Sequence, residues 1–353
     1  MSDVPKKGPS AKLRPLEFRV FREASLSWSA NSTADEKGEA FARRVLAMVS
    51  GGADSMAMLR VLFKLRDKLG FELEILHAHH GDDDERGGWR NQAARLVQDF
   101  ARENGLVIHM RKSEVALSSE ADFRRFRWEA IQSVWTSAKQ NGASITCVAF
   151  AHHRDDLLET RLIRLLRGTG AQGLRAMRPW GLVRGIPVWR PFLTTDRRDL
   201  QRYLEECGAR ARVDWVDDPS NQDAKYLRNA IRHQLLPQIE AIRQGGVAAL
   251  ARSLEVIVEE ISDVPSEEMA PFGPASRAKL SRRDLMSLSP EKQRARLGQW
   301  LKQRGVESYS QAHIKEVLKR LDTDQRRLSF EVCGRVWLVD EMLEIVALPQ
   351  QGQ

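Results

Sequence analysis

Between about residues 41 and 170 short apolar runs alternate with longer segments whose apolar residues recur at helical spacing. The runs are RVLAMV (44–49), FELEILHAH (71–79), GLVIHM (105–110) and ASITCVAFAHH (143–153). Between them lie SMAMLRVLFKLRDKLG (55–70) and WRNQAARLVQDFARENG (89–105), which fit the period of amphipathic helices. Strands alternating with helices predict an α/β fold, a parallel sheet with helices on both faces. In such open sheets ligands bind beyond the carboxyl ends of the strands. The polar clusters SGGADS (50–55), HAHHGDDDER (77–86) and AHHRDD (151–156) all fall at such ends.

Beyond this region the pattern changes. Residues 196–240 read as further helices with a turn at Asp218-Pro219-Ser220-Asn221, and 245–262 as another helix. SDVPSEEMAPFGPAS (262–276) has linker composition. SRRDLMSLSPEKQRARLGQWLKQRG and SQAHIKEVLKRLD are amphipathic helices, followed by a hairpin turning near Gly334. The predicted organisation is a basic, partly disordered N-terminal extension (1–40), a catalytic domain (41–240), a helix and linker (241–276), and a small α+β module for substrate binding (277–353).

Charge narrows the choice of partners. Fifty-six Lys+Arg against 48 Asp+Glu leave a formal net charge of +8. Arginines cluster in FRRFRW (123–128), ETRLIRLLRG (159–168), RRDLQRY (197–203) and YLRNAIRH (226–233). Any one of these is an ordinary solvated helix face, and together they suit a polyanion. No long uninterrupted apolar run and no secretory h-region is present, so the expected setting is cytoplasmic, with no membrane partner. Cys147, Cys207 and Cys333 are scattered and form no C-x-x-C pair, which argues against a zinc ribbon or dithiol centre.

SGGADS is not a Walker A loop, because no lysine closes it. A glycine-rich turn between strand and helix nevertheless aims backbone N–H groups and the positive helix end at one spot, which suits phosphate. Asp54 would hold Mg²⁺; a plain helix-capping turn is the competing interpretation. Asp155, Asp156 and Glu159 open a helix, where carboxylates also serve simply as caps. Gly168 to Gly173 fits G-x-G-x-x-G but follows a helix, so a C-terminal cap is expected there. His77, His79 and His80 with Asp82–Asp84 lack the spacing of a zinc helix.

S-G-G-x-D-S resembles the PP-loop of the ATP pyrophosphatases, which split ATP into AMP and pyrophosphate. HAHHG (77–81) is similar to the H-x-x-H-G of one branch, the tRNA(Ile)-lysidine synthetases. AHHRDDLLETRLIRLLRGTG (151–170) resembles that branch's A-H-H-x-D-D-x-x-E-T-x-x-x-R-L-x-R-G-x-G, and EADFRRFRW (120–128) its arginine-bearing helix. RPFL (190–193), DPSNQD (218–223) and RNAIRHQLLP (228–237) follow in matching order. The resemblance covers about residues 44–240. After H-x-x-H-G this chain departs from the usual Leu-Arg with Asp82-Asp83-Asp84-Glu85-Arg86, and its N-terminal extension is long.

The resemblance implies ATP-dependent ligation of free L-lysine to C2 of the wobble cytidine of a CAU-anticodon tRNA(Ile), through an adenylated cytidine. It implies that Ser50, Gly51, Gly52, Ala53, Asp54 and Ser55, with His77 and His80, bind ATP, and that Asp54 holds Mg²⁺. Asp54, His152, His153, Asp155, Asp156 and Arg127 would carry the chemistry. Glu159, Arg124, Arg167, Asn221, Arg228, Asn229 and Arg232 would meet lysine or tRNA. The alternatives are a PP-loop tRNA thiolase and a non-catalytic ATP- or RNA-binding protein. Oligomeric state is left open, a homodimer included.

Overall fold

The computed structural model describes residues 13–30, 43–81, 88–115, 117, 119–142, 144–208, 214–217, 219, 227–263, 280–304, 306, 309–323, 325–332 and 334–347. The chain divides into two compact units, Met1–Glu159 with Met177–Pro237, and Thr160–Ala176 with Gln238–Gln353.

The first unit holds α1 (Pro15–Ala30), β1 (Arg43–Met48), α2 (Ala53–Leu69), β2 (Phe71–His79), α3 (Trp89–Glu103), β3 (Val107–Lys112), α4 (Glu120–Gln140) and β4 (Cys147–Ala149). Helix α5 (Arg154–Leu166) begins in it and runs on into the second unit, whose α6 is Ala171–Leu174. The first unit resumes with β5 (Trp180–Val183), β6 (Ile186–Trp189) and α7 (Arg197–Glu206). It then has α8 (Leu227–Ala230), a π-helical turn (Ile231–Leu235) and the start of α9 (Leu236–Ile242).

Six strands form one sheet in the order β3-β2-β1-β4-β6-β5, parallel except for β5. Strand β1 is apolar on both sides because both its faces are covered. Val45 and Ala47 enter one core with Leu73 and Ile75, packed under α1, α2, α3 and α7. Leu46 and Met48 face the other way, with Leu76 and Val148, onto Trp128, Ile131 and Val134 of α4. Helix α4 is fixed at its start by a capping box between Ser119 and Asp122.

The hairpin β5–β6 is absent from the sequence-based expectation. Its strands are short and Pro187 interrupts β6, yet Trp180 and Trp189 stack at 5.3 Å across it and β6 pairs with β4. The N-terminal region holds a further element. Residues 15–30 form α1, whose Leu16, Val20 and Ala24 are buried in the core, and buried Glu17 accepts a 3.0 Å hydrogen bond from the Tyr203 hydroxyl.

In the second unit, α10 (Gly246–Asp263) precedes β7 (Leu280–Ser281), α11 (Arg282–Met286), α12 (Pro290–Gln303), α13 (Gln311–Leu321), β8 (Leu328–Val332), β9 (Arg335–Val339) and β10 (Met342–Ala347). The strands make an antiparallel sheet ordered β7-β10-β9-β8 over a core of Leu297, Trp300, Ile314, Val317, Trp337 and Leu343. Strands β8 and β9 turn at Gly334 as the sequence predicts, and β10 extends that hairpin. Residues 160–176 belong with this unit, and the stretch read as a linker lies outside the described residues from 264 onward. Gly168 follows α5 at φ 72° and donates to the Leu165 carbonyl at 2.9 Å, the helix-ending turn expected there. Among the described residues no helix is long and apolar enough to cross a membrane.

Candidate active site

The strand order reverses at β1, which pairs with β2 on one side and β4 on the other. The connections leaving the carboxyl ends of β1 and β4 therefore open beside each other, at the switch point where open α/β sheets take ligands. SGGADS leaves β1 and AHHRDD leaves β4.

In the first loop Gly51 has φ 89°, and a Cβ there would come 2.8 Å from the Ala93 Cβ of α3. Only glycine allows this turn to lie so close to α3. The Gly51 carbonyl accepts from Val216 N at 2.9 Å, which ties the loop to a segment far along the chain. Ser50 and Ser55 hydroxyls meet at 3.1 Å, and Ser55 donates to the Gly52 carbonyl at 2.8 Å. Gly52 is the N-cap of α2 and Ala53 its first residue, and no side chain caps the helix. Asp54 makes no capping hydrogen bond to the helix start, and its carboxylate lies instead beside His153. The amino end of α2, with two hydroxyls beside it, is a setting for anionic oxygens.

Asp54 Oδ2 lies 3.6 Å from His153 Nε2, and Asp156 Oδ2 is 3.3 Å from the same nitrogen. Asp155 Oδ2 is 3.9 Å from Nδ1. His153, 1% exposed, is fixed by a backbone bridge to the fully buried Phe192 of RPFL. Burial alone would lower its pKa, but the neighbouring carboxylates of Asp54, Asp156 and Asp155 outweigh burial and raise it. Burial opposes ionisation of Asp156, but His153, His152 and Arg228 hold its pKa below the ordinary value.

The arginine pair has a different setting from the one the sequence indicates. Arg232 donates to both oxygens of Glu159, from Nε to Oε1 at 2.7 Å and from Nη2 to Oε2 at 3.1 Å. Arg228 Nη1 lies 3.6 Å from Asp156 Oδ1, and Arg232 Nη2 is 3.5 Å from that oxygen. Glu159 and Arg232, both expected to meet lysine or tRNA, engage each other in this structure. The one-turn spacing of Arg228 and Arg232 matches that of Asp156 and Glu159, so the two helices pair charge for charge.

His152 stacks on Phe150 with centroids 5.5 Å apart, and its Nδ1 is buried without a hydrogen-bond partner. Burial lowers its pKa to about 4, against the pull of Asp156 and helped by Arg190, Arg228 and Arg127. Burial likewise lowers Arg127, aided by Arg124 and Arg228, and lowers Arg190 to about 10, aided by Arg124. These guanidiniums are crowded with like charge, an arrangement that favours an anion among them. Arg124 itself is exposed on α4, and Arg127 Nε donates to the Phe123 carbonyl at 3.3 Å.

His77 and His80 close the β2 end. The His77 ring donates from Nδ1 to the Val49 carbonyl at 2.8 Å, and burial brings its pKa to about 4. His80 lies against Phe123 at 4.9 Å, with a pKa of about 3 caused by burial and then by Arg127 and Arg90. Among the described residues no cluster of His, Cys, Asp and Glu has the form of a metal centre.

Not every candidate joins this group. Arg167 is exposed just past the end of α5, in the second unit. Asn229 is buried in α8. Asn221 and the Asp82–Asp84 run lie outside the described residues. Conversely, two residues without a sequence-based role stand in the site: Arg190, opening RPFL, and Arg197, whose Nε is 3.8 Å from Asp54 Oδ1. RPFL and RRDLQRY were their only signals. A motif does not reveal that its arginine turns inward.

The PP-loop domain family matches residues 27–239, which carry the loop, the histidines and the paired charges described above. This defines an ATP-using enzyme of the PP-loop class. A TilS substrate binding domain matches residues 280–336. The tRNA(Ile)-lysidine synthase of Bdellovibrio bacteriovorus is 36% identical over 84% of this chain and 90% of its own length. That of Bordetella pertussis is 33% identical over 83% of this chain and 92% of its own, and that of Ralstonia nicotianae 34% over 78% and 58%. The chain belongs to the tRNA(Ile)-lysidine synthase family.

Proposed function

We propose that this chain activates the C2 oxygen of the wobble cytidine in a CAU-anticodon tRNA(Ile) with ATP, and then joins free L-lysine to C2, releasing AMP and pyrophosphate. One observation carries the reading beyond family membership: His153 Nε2 lies 3.6 Å from Asp54 Oδ2 and 3.3 Å from Asp156 Oδ2, joining the phosphate loop and AHHRDD in one site.

The uncapped start of α2, with Ser50 and Ser55, receives the β- and γ-phosphates. Asp54 Oδ1 is buried and lacks a hydrogen-bond partner, which suits a magnesium ion held by one carboxylate together with substrate oxygens. A magnesium ion held there would offset negative charge on the pyrophosphate leaving group. With Glu159 engaged by Arg232, Asp155, 43% exposed in its side chain, is the carboxylate free to draw the lysine ammonium. His152, neutral at pH 7, accepts a hydrogen bond from that amine and orients it; its low pKa makes it a weak base. Arg124, Arg127 and Arg190 receive backbone phosphates near the target base. The reaction uses residues of a single chain and belongs in the cytoplasm with its tRNA. Size-exclusion chromatography with light scattering decides between monomer and homodimer.

The thiolase alternative finds no support at Cys147, which is wholly buried and whose thiol pKa is pushed far up by that burial. The test is incubation with ATP, Mg²⁺, lysine and a CAU-anticodon tRNA(Ile) transcript, followed by nucleoside mass analysis. Lysine attached to cytidine, with one AMP per product, is the expected result. ATP binding with no such product favours the binding-only alternative, and a sulfur-bearing nucleoside formed with sulfide favours the thiolase.

A further inference from the structure

We propose that Arg197 is the cation that receives the β- and γ-phosphates of ATP, resting against Asp54 when no nucleotide is present. The inference rests on the ATP-dependent reading above and names a residue for its pyrophosphate end.

Arg197 is the first residue of α7. Its Nε and Asp54 Oδ1 face each other at 3.8 Å, each shut off from solvent and each without a hydrogen-bond partner. That separation is inside ion-pair range and too long for a hydrogen bond. Two buried polar atoms that have given up water and stopped short of each other leave hydrogen-bonding capacity unmet, at a cost that a third group between them would remove. Anionic oxygen satisfies the guanidinium, and Asp54 is already placed to hold the cation that accompanies triphosphate. The Arg197 side chain as a whole is 36% exposed, which leaves room for it to swing by a rotamer change.

The backbone that presents Arg197 is braced. Arg154 takes both oxygens of Asp196, at 2.9 and 3.1 Å, and donates to the Thr194 carbonyl at 2.8 Å. From the other side, the Thr194 hydroxyl donates to Glu23 of α1 at 3.1 Å, and Arg19 pairs with Asp199 at 3.3 Å. The residues before and after Arg197 are thus tied both to the AHHRDD helix and to α1. Only the arginine side chain is left to move.

In the adenylation step the cytidine oxygen forms a bond to the α-phosphorus, and the bond from that phosphorus to the bridging oxygen breaks. The electron pair leaves with pyrophosphate. Arg197 remains protonated throughout, so it supplies hydrogen bonds and charge to the leaving group and no proton.

The test compares binding of ATP, pyrophosphate and AMP to the full chain by calorimetry, with and without Mg²⁺. Arg197→Ala and Arg197→Met should weaken ATP and pyrophosphate binding by about tenfold to a hundredfold, the range of a charge-assisted hydrogen bond, and leave AMP within about twofold. Arg197→Lys should recover part of the loss. Arg197→Met keeps the apolar stem and so separates lost charge from lost packing, with thermal melting as the folding control. Equal losses for ATP and AMP, or no loss for either, would overturn the assignment. A wild-type chain that binds no ATP would instead overturn the reading on which it stands.

Discussion

Both carboxylate oxygens of Glu159 are held by one guanidinium, that of Arg232, at 2.7 and 3.1 Å, although Glu159 is only 1% exposed. Removing one member of a buried pair strands the other. Glu159→Ala should therefore cost about 3 kcal/mol of stability, the low end of that range because Arg232 keeps Asp156 as a second partner. Glu159→Gln, which still accepts one hydrogen bond, should cost less. Urea denaturation of the two variants reads the difference, and equal, negligible losses would show that the pair is a bystander.

Asp54 has no hydrogen-bond partner at Oδ1, and at Oδ2 it shares His153 with Asp156, which remains when Asp54 is removed, so its loss should act on chemistry more than on the fold. For Asp54→Ala we expect pyrophosphate release to fall below detection while the melting temperature stays close to wild type. Release at the wild-type rate would remove the loop from the mechanism.

Gly51→Ala introduces two separate faults: a positive φ that alanine tolerates poorly, and a Cβ 2.8 Å from that of Ala93. The strained dihedral alone costs of order 1–3 kcal/mol. Adding Ala93→Gly should relieve the contact and leave the dihedral penalty. The double variant should thus recover only part of the lost stability and ATP binding, and full recovery would show that φ is not a constraint.

His77 makes stability depend on pH. Its folded pKa of about 4 lies below the unfolded value near 6.5, so between these limits the unfolded chain binds a proton that the folded chain does not. Its contribution is constant above pH 6.5, declines as pH falls toward 4, and changes no further below that. The decline amounts to about 3 kcal/mol across the window. His77→Asn can still donate to the Val49 carbonyl and does not titrate, so its stability curve should be flatter over pH 4–6.5. A curve parallel to wild type would assign the acid sensitivity elsewhere.

Arg124 is exposed on α4, and its proposed partner is a tRNA phosphate. Arg124→Ala should reduce the slope of log affinity against log salt by about 0.7, the value for one single-stranded phosphate contact. ATP binding should be unaffected. Filter binding at several salt concentrations checks the slope, and an unchanged one would mean that Arg124 touches no phosphate.

The sheet was legible because its central strands are buried on both faces, which leaves uninterrupted apolar runs such as Val45 to Val49 for a reader of the sequence. The β5–β6 hairpin was not legible: its strands are short, and what holds it is Trp180 against Trp189 and the edge of β4, contacts that no local pattern records. The site divides along the same line. SGGADS and AHHRDD mark themselves by residue type at strand ends, so Asp54, His153 and Asp156 could be named in advance. Whether a charged side chain meets a ligand or a neighbour depends on geometry across distant segments. That Arg232 pairs with Glu159, and that Arg197 stands beside Asp54, are therefore facts of the folded chain that no local pattern in the sequence carries.

The PP-loop match begins at residue 27, inside α1, while the residues by which α1 enters the core, Leu16, Val20 and Ala24, all precede that boundary. The segment recognised across relatives and the segment that closes this molecule's interior are therefore not the same length of chain. A protein trimmed to the shared boundary would keep every motif of the site and yet open a greasy seam along α2 and α7, beside the helix that carries Asp54. Heredity and cooperative folding draw their borders in different places here, and a deletion series that stops at residue 12 and another that stops at residue 26 should separate them.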